Sequence, residues 1–343
     1  MSAGKIRCTY VLPIRRACAD RTETEQLAQY FTYIAQAGCE VLVVDGSSPE
    51  VFAAHNSAWH DVCHHVAVDR KYAYLNDKVN GVHTGVDLAS CENIVLADDD
   101  IRYTRDDIGR VCDLLRRQEM VRPQNYVAPL PWWARTEAAR MLINRGVLRA
   151  GDYSGTCAFR RSTCLRVGHY DGDVLFDNEE IVRHFLVKGA DVCHALDLFI
   201  LKRPPTFRKW LEQRPRQAYE DFAMLAKTLL FMSLLPLVIV IGLISGARAA
   251  LGFFSLLSIC AVLLAGRGLC RNKAYNFFPA YVVFYAPLWV TERAMSVYWA
   301  LYWRVAHGGY PFGKGLLLKG TGRAWFPARM CMRKPRRLTG QLR

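Results

Sequence analysis

The chain has 343 residues, 22% charged and 52% hydrophobic, with a mean hydropathy of +0.03. Such a chain has ample core for a folded protein and excludes intrinsic disorder, collagen-like repeats and low-complexity sequence. Its formal charge is +14, from 45 Lys and Arg against 31 Asp and Glu, which calls for an anionic partner, substrate or membrane face.

Met1–Arg7 leads directly into the short apolar run Cys8–Ile14, too brief for a signal peptide, so the N-terminal part is expected to be cytosolic. Thr9–Ile14 predicts a strand. Leu27, Tyr30, Phe31 and Ile34 lie at helical spacing and predict a helix over Thr24–Gln36. Glu40–Val44 is a continuous apolar strand that stops at the turn cluster Asp45-Gly-Ser-Ser-Pro49. Val51–Trp59 reads as a helix, Val62–Val68 as a strand, Lys78–Ser90 as a helix and Glu92–Ala97 as a second buried strand. Asp98-Asp99-Asp100 ends that strand, and a helix follows over Asp106–Arg117. Apolar strands alternating with helices predict an α/β fold with a parallel sheet covered on both faces. The neutral mean hydropathy hides a division near residue 221. Phe222–Ser245 and Ala249–Ala265 are apolar runs joined by a short link, a candidate hairpin of two spans at about 225–246 and 249–265. A third stretch over about 277–303, interrupted by Glu292-Arg293 and rich in Tyr and Trp, is expected to lie at the interface or to form a third span. From Arg304 onward there are ten Lys or Arg and no acid. This basic tail over 304–343 is expected on the cytoplasmic side against anionic lipid, which leaves little reason to invoke nucleic acid. Twelve cysteines are scattered without a CxxC pair, as expected of reduced thiols.

Ligands of such sheets bind at the carboxyl ends of strands, where both Asp45 and Asp98–Asp100 fall. Three consecutive carboxylates repel one another, and a hard divalent cation relieves that repulsion. Oxygen ligands of this kind select Mg2+ or Mn2+. Trp132-Trp133, after Pro129-Leu-Pro131, offers aromatic faces for a sugar or an anchor for an interface.

Taken together, the order Val11-Leu-Pro13, Val44-Asp45-Gly-Ser-Ser48, Lys78-Val-Asn-Gly, Asp98-Asp-Asp100, Gly155-Thr-Cys-Ala-Phe-Arg-Arg161, Asp177-Asn-Glu-Glu180 and Gln213-Arg-Pro-Arg216 resembles the membrane-bound family 2 glycosyltransferases. The resemblance covers about residues 6–217. It implies a GT-A-type, Rossmann-like nucleotide-sugar-binding domain over 1–221, followed by transmembrane or interfacial helices over 222–303 and the tail. By that resemblance Pro13, Asp45, Lys78, Asp98, Asp99 and Arg216 face a nucleoside-diphosphate sugar, with a UDP-sugar as the default. Asp98 and Asp100 hold the metal, and Asp177 is the general base, with Glu179 and Glu180 as alternatives. Trp132, Trp133, Gly155 and Gln213 meet the acceptor, although the family's Trp after the last motif is Gln217 here. The implied activity is metal-dependent, inverting sugar transfer at the inner (plasma) membrane to a lipid-linked or other membrane-associated glycan acceptor. A processive polysaccharide synthase and a non-catalytic nucleotide-sugar-binding scaffold are the alternatives.

Overall fold

The computed structural model describes residues 6–312 and 315–322, and most of the basic tail lies outside these residues. An α/β layer comes first. Strand β1 (Thr9–Ile14) is followed by α1 (Arg21–Gln36), β2 (Glu40–Asp45), α2 (Pro49–Trp59), β3 (His64–Ala67), α3 (Asp77–Leu88), β4 (Asn93–Ala97), the short β5 (Ile101–Arg102) and α4 (Arg105–Leu115). Next come β6 (Met120–Val127), α5 (Trp132–Val147), β7 (Thr156–Arg160), α6 (Arg161–Val167), α7 (Asp177–Val187), β8 (Val192–Lys202) and α8 (Phe207–Glu220). The chain continues through α9 (Leu225–Ser245), α10 (Ala247–Cys270), a 3-10 turn over Ala280–Tyr285, α11 (Ala286–His307), and a small hairpin of β9 (Tyr310–Phe312) and β10 (Gly315–Leu317). The expected α/β architecture followed by apolar helices is therefore present.

Helix starts are written in the local sequence. Asp20 caps α1 by accepting from Glu23 N–H, Ser48 caps α2 ahead of Pro49, and Asn76 caps α3. Thr104 and Asp107 form a reciprocal capping box on α4.

The eight-stranded sheet has the order β3-β2-β1-β4-β7-β6-β8-β5. Strands β1, β2, β3 and β4 pair in parallel, with Ile14 opposite Asp45 and Thr9 opposite Ile94. Strand β7 runs antiparallel to both β4 and β6. The parallel pairing expected for the N-terminal strands is present, and the antiparallel β7 is added to it. Alternate residues of β1 serve opposite faces. Tyr10, Leu12 and Ile14 pack with Leu27, Phe31 and Ile34 of α1 and with Ile108, Val111 and Leu115 of α4. Val11 faces the other way, with Val79, Val82 and Val86 of α3 and Ile181, Val182 and Phe185 of α7.

Two compact units can be distinguished. The first comprises the described residues up to Asn125 with Ser154–Gly172 and Asp177–Leu201. The second comprises Tyr126–Tyr153, Asp173–Phe176 and the described residues from Lys202. Within the second unit, α9 and α10 are long and apolar enough to cross a membrane. Their outward side chains include Leu243 and Ile244, 82% and 80% exposed. Helix α10 crosses α5 at backbone contact. A Cβ on Gly146 would stand 2.1 Å from the carbonyl oxygen of Leu264, and one on Gly268 would stand 1.9 Å from that of Leu142. Small residues at such a crossing let two helix backbones approach.

Candidate functional site

The first unit gathers its charged groups at the carboxyl ends of β1 and β4. Asp98 follows β4 directly, its backbone N–H donating to the Gly155 carbonyl at 3.3 Å. Asp77 and Lys78 open α3, and Asp177 opens α7, so three separate elements deliver side chains to one place. Lys78 Nζ stands 2.5 Å from Asp98 Oδ1 and 2.8 Å from Asp177 Oδ2, and donates to Asn178 Oδ1 at 2.8 Å. Asn178 Nδ2 in turn donates to Asp98 Oδ2 at 3.3 Å. Burial pulls the Lys78 ammonium down, but the carboxylates of Asp177 and Asp98 outweigh it and hold its pKa above the ordinary lysine value.

Gly155 shapes the remaining side of Asp98. A Cβ there would stand 2.8 Å from Asp98 Oδ2, so glycine keeps a cradle open beside the carboxylate. The Gly155 N–H donates to Asn125 Oδ1 at 3.0 Å, which fixes that strand start. Asp99 pairs with Arg16 Nη2 at 2.5 Å, and Asp100 is half-buried in the same turn. The donor set around Asp98 is made of hard oxygens and suits Mg2+ or Mn2+ in kind.

The Asp177–Glu180 segment is sorted by its partners. Glu180 has a fully buried side chain and accepts from Arg183 Nε at 2.8 Å and from its Nη2. Glu179 pairs with Arg122 Nη2 at 2.7 Å. Asp177 and Asn178 alone in this segment turn toward Lys78 and Asp98. Glu180, expected as a catalytic residue beside Asp177, is paired with Arg183 through both oxygens.

Other expected residues fall elsewhere. Pro13 is buried inside β1 beneath α3, where a Cβ on Gly81 would meet its Cβ at 2.8 Å. The β1–β4 pairing ends at Val11–Leu96, before Pro13. Asp45 is turned inward, its side chain without exposure. Its Oδ1 accepts from Ser47 N–H at 2.8 Å, and its Oδ2 lies 2.7 Å from His55 Nδ1 and 3.2 Å from His65 Nε2. Asp45, expected to contact the base, thus has partners within the fold on both oxygens.

Trp132, Trp133, Gln213 and Arg216 belong to the second unit. Trp132 and Phe207, 56% and 42% exposed, lie with centroids 5.2 Å apart, and Trp133 Nε1 donates to the Pro205 carbonyl at 3.1 Å. Gln213 is half-buried on α8. Arg216 pairs with Glu220 at 3.2 Å and lies over the Phe312 ring. The buried member of that motif is Arg214, over Trp210 and 3.4 Å from Glu137. Two residues of the first unit escaped the sequence reading: Arg16 and Arg122. Arg15-Arg16 immediately after an apolar strand was the available signal for the first. Arg122 sits in a polar strand and carried none.

No protein-family model matches the chain, and no curated protein matches it. Among solved structures the chain is similar to a mannosyltransferase from Pyrobaculum calidifontis in complex with GDP-Man and Mn2+. That match has 17% identity over 85% of this chain and 87% of the other, with a TM-score of 0.48. It is also similar to glucosyl-3-phosphoglycerate synthase from Mycobacterium tuberculosis in complex with Mn2+, UDP and glucosyl-3-phosphoglycerate. There the identity is 15% over 63% of this chain and 78% of the other, with a TM-score of 0.39.

Proposed function

We propose that the protein is a membrane-anchored, inverting glycosyltransferase of the GT-A type. In this reading it moves a sugar from a nucleoside-diphosphate sugar to a lipid-linked or other membrane-associated glycan acceptor. The observation that carries this reading is the Lys78 bridge, which joins the acidic end of β4 to the first residue of α7. A metal- and diphosphate-binding carboxylate and a general base must lie that close if one sugar is to pass between two substrates.

Asp177 takes the proton from the acceptor hydroxyl, and the hydroxyl oxygen forms a bond to the anomeric carbon as the bond to the nucleoside diphosphate breaks. Attack from the face opposite the leaving group inverts the configuration. Lys78 holds Asp177 and Asp98 in register, and Asn178 orients Asp98. Asp98 and Asp100 would hold a Mg2+ or Mn2+ ion, which when bound would neutralise charge on the departing diphosphate. Arg16, beside Asp99, is placed to meet a phosphate oxygen as well. Residues 1–221 carry this chemistry in the cytosol, α9 and α10 are the two spans, and the aromatic stretch about 277–303 lies at the interface. The exposed apolar faces of α9 and α10 support that anchoring, since a water-exposed patch of this extent is uncommon on a soluble protein.

The test is release of nucleoside diphosphate from a panel of sugar nucleotides by carbonate-washed membranes carrying the full chain. The expected outcome is Mg2+- or Mn2+-dependent release that stays with the membrane and falls roughly 10²–10⁴-fold in Asp177→Asn. Undiminished turnover in that variant removes Asp177 from the role of base. Activity in the wash supernatant removes the membrane anchor.

A further inference from the structure

A second cluster of ligating side chains lies deeper in the first unit, away from the Lys78 bridge. Asp45 ends β2, His65 stands in β3 beside it, and His55 comes from α2. Their side chains are 0%, 1% and 2% exposed. Both histidines aim a ring nitrogen at the same oxygen, Asp45 Oδ2, at 2.7 Å from His55 Nδ1 and 3.2 Å from His65 Nε2. The other nitrogen of His65 is occupied: Nδ1 lies 3.2 Å from Asn56 Oδ1. An amide oxygen only accepts, so Asn56 engages the ring through its Nδ1 hydrogen while Nε2 stays aimed at Asp45 Oδ2. One ligand atom from each of Asp45, His55 and His65 lies within 4.8 Å of the other two, close enough for all three to reach one cation. Phe52 stacks on His65 with centroids 4.2 Å apart, and Trp59 stacks on His55 at 4.3 Å, so each ring is held flat and shielded from water.

We propose that Asp45, His55 and His65 form a site for a transition-metal cation of the Zn2+ type. Two imidazole nitrogens and one carboxylate oxygen are a donor set that suits Zn2+ and not Mg2+. Asn56 fixes the tautomer of His65, the role that outer hydrogen-bond partners play around metal-bound histidines. Tetrahedral ligands at about 2.0–2.2 Å lie about 3.4 Å from one another, so His55 withdraws by less than 1 Å on binding. The ion would add a link between the end of β2, β3 and α2, beside the β2–β3 ladder and the Asn56–His65 contact.

The test uses the full-length protein in detergent, loaded with Zn2+ and dialysed free of excess. One equivalent of zinc should remain. The zinc-edge absorption spectrum should show a nitrogen and oxygen shell at about 2.0–2.1 Å, and a chelator should lower the melting temperature of the wild type. Asn56→Ala keeps all three ligands and should weaken zinc affinity roughly 10–100-fold. His65→Gln should abolish zinc retention. Failure of the wild type to retain zinc overturns the proposal, as does full retention by His65→Gln. Sulfur at about 2.3 Å overturns it too, by moving the ion to cysteines.

Discussion

Gly155 illustrates how one missing methyl group can set a site. Its Cα packs against Asp98 so closely that a Cβ would stand 2.8 Å from Oδ2. Gly155→Ala must displace that carboxylate, and a misplacement on the order of 1 Å at a reacting centre costs about 10²-fold in rate. Turnover should fall by that order while the melting temperature stays near wild type, and a paired activity and melting measurement checks it. Much of this site was legible residue by residue. Lys78, Asp98, Gly155 and Asp177 stood out as charge or glycine in the right company, and the fold brings all four together. Asp45 was legible as a carboxylate at a strand end, yet sequence gives no sign that His55 and His65, ten and twenty positions later, turn it inward. Asp177 was favoured over Glu180 by its spacing to Arg183 and Gly189, but the pairing of Arg183 with Glu180 one helical turn away was not visible in the sequence.

At the scale of elements, α3 and the α5–α10 crossing carry the argument. Helix α3 lies on β1 through Gly81 and Gly85, where a Cβ on Gly85 would approach Val11 Cγ1 to 2.4 Å. The same helix buries His83, with its ring 4.4 Å from that of His169. Burial, then the neighbouring His169, pushes the His83 pKa down to about 4. An unfolded histidine takes its proton near pH 6.5, so between about pH 6.5 and 4 the unfolded chain binds a proton that the folded one refuses. Stability should therefore drop as pH falls through that window. Denaturant titrations of His83→Gln should show a shallower drop than wild type.

Gly146 sits where α5 meets α10 at backbone contact, and Gly146→Leu should lower the melting temperature, costing on the order of 1–3 kcal/mol or more. Gly109, with open space around its Cβ position on α4, is the control: Gly109→Ala should gain about 0.5–1 kcal/mol. Parallel strands β1, β2 and β4 were plain in the sequence as apolar runs. Strand β6 was not, because Arg122, Gln124 and Asn125 are polar and yet at most 2% exposed. A period-based reading takes buried polar residues for a loop. The Glu292-Arg293 pair was similarly opaque: Arg293 is 1% exposed and lies 3.1 Å from Asp221, an internal ion pair that sequence presents as an exposed charge.

For the whole molecule, charge and hydropathy make sense only when divided along the chain. Asp45 and Asp98–Asp100 fall at strand ends, α9 and α10 carry much exposed apolar surface, and ten of the cationic residues come from Arg304 onward. A donor carrying two phosphates and an acceptor held at a membrane fit that distribution. The central claim is that the cluster around Lys78 binds a nucleoside diphosphate together with a divalent cation. Calorimetric titration of UDP and GDP, with Mn2+ or Mg2+, into the full-length protein in detergent tests it most directly. Wild type should bind one of these nucleotides only together with the metal, and Asp98→Asn should weaken that binding tenfold or more, about 1.4 kcal/mol. Absence of binding with either metal, or identical isotherms for the two proteins, would contradict it.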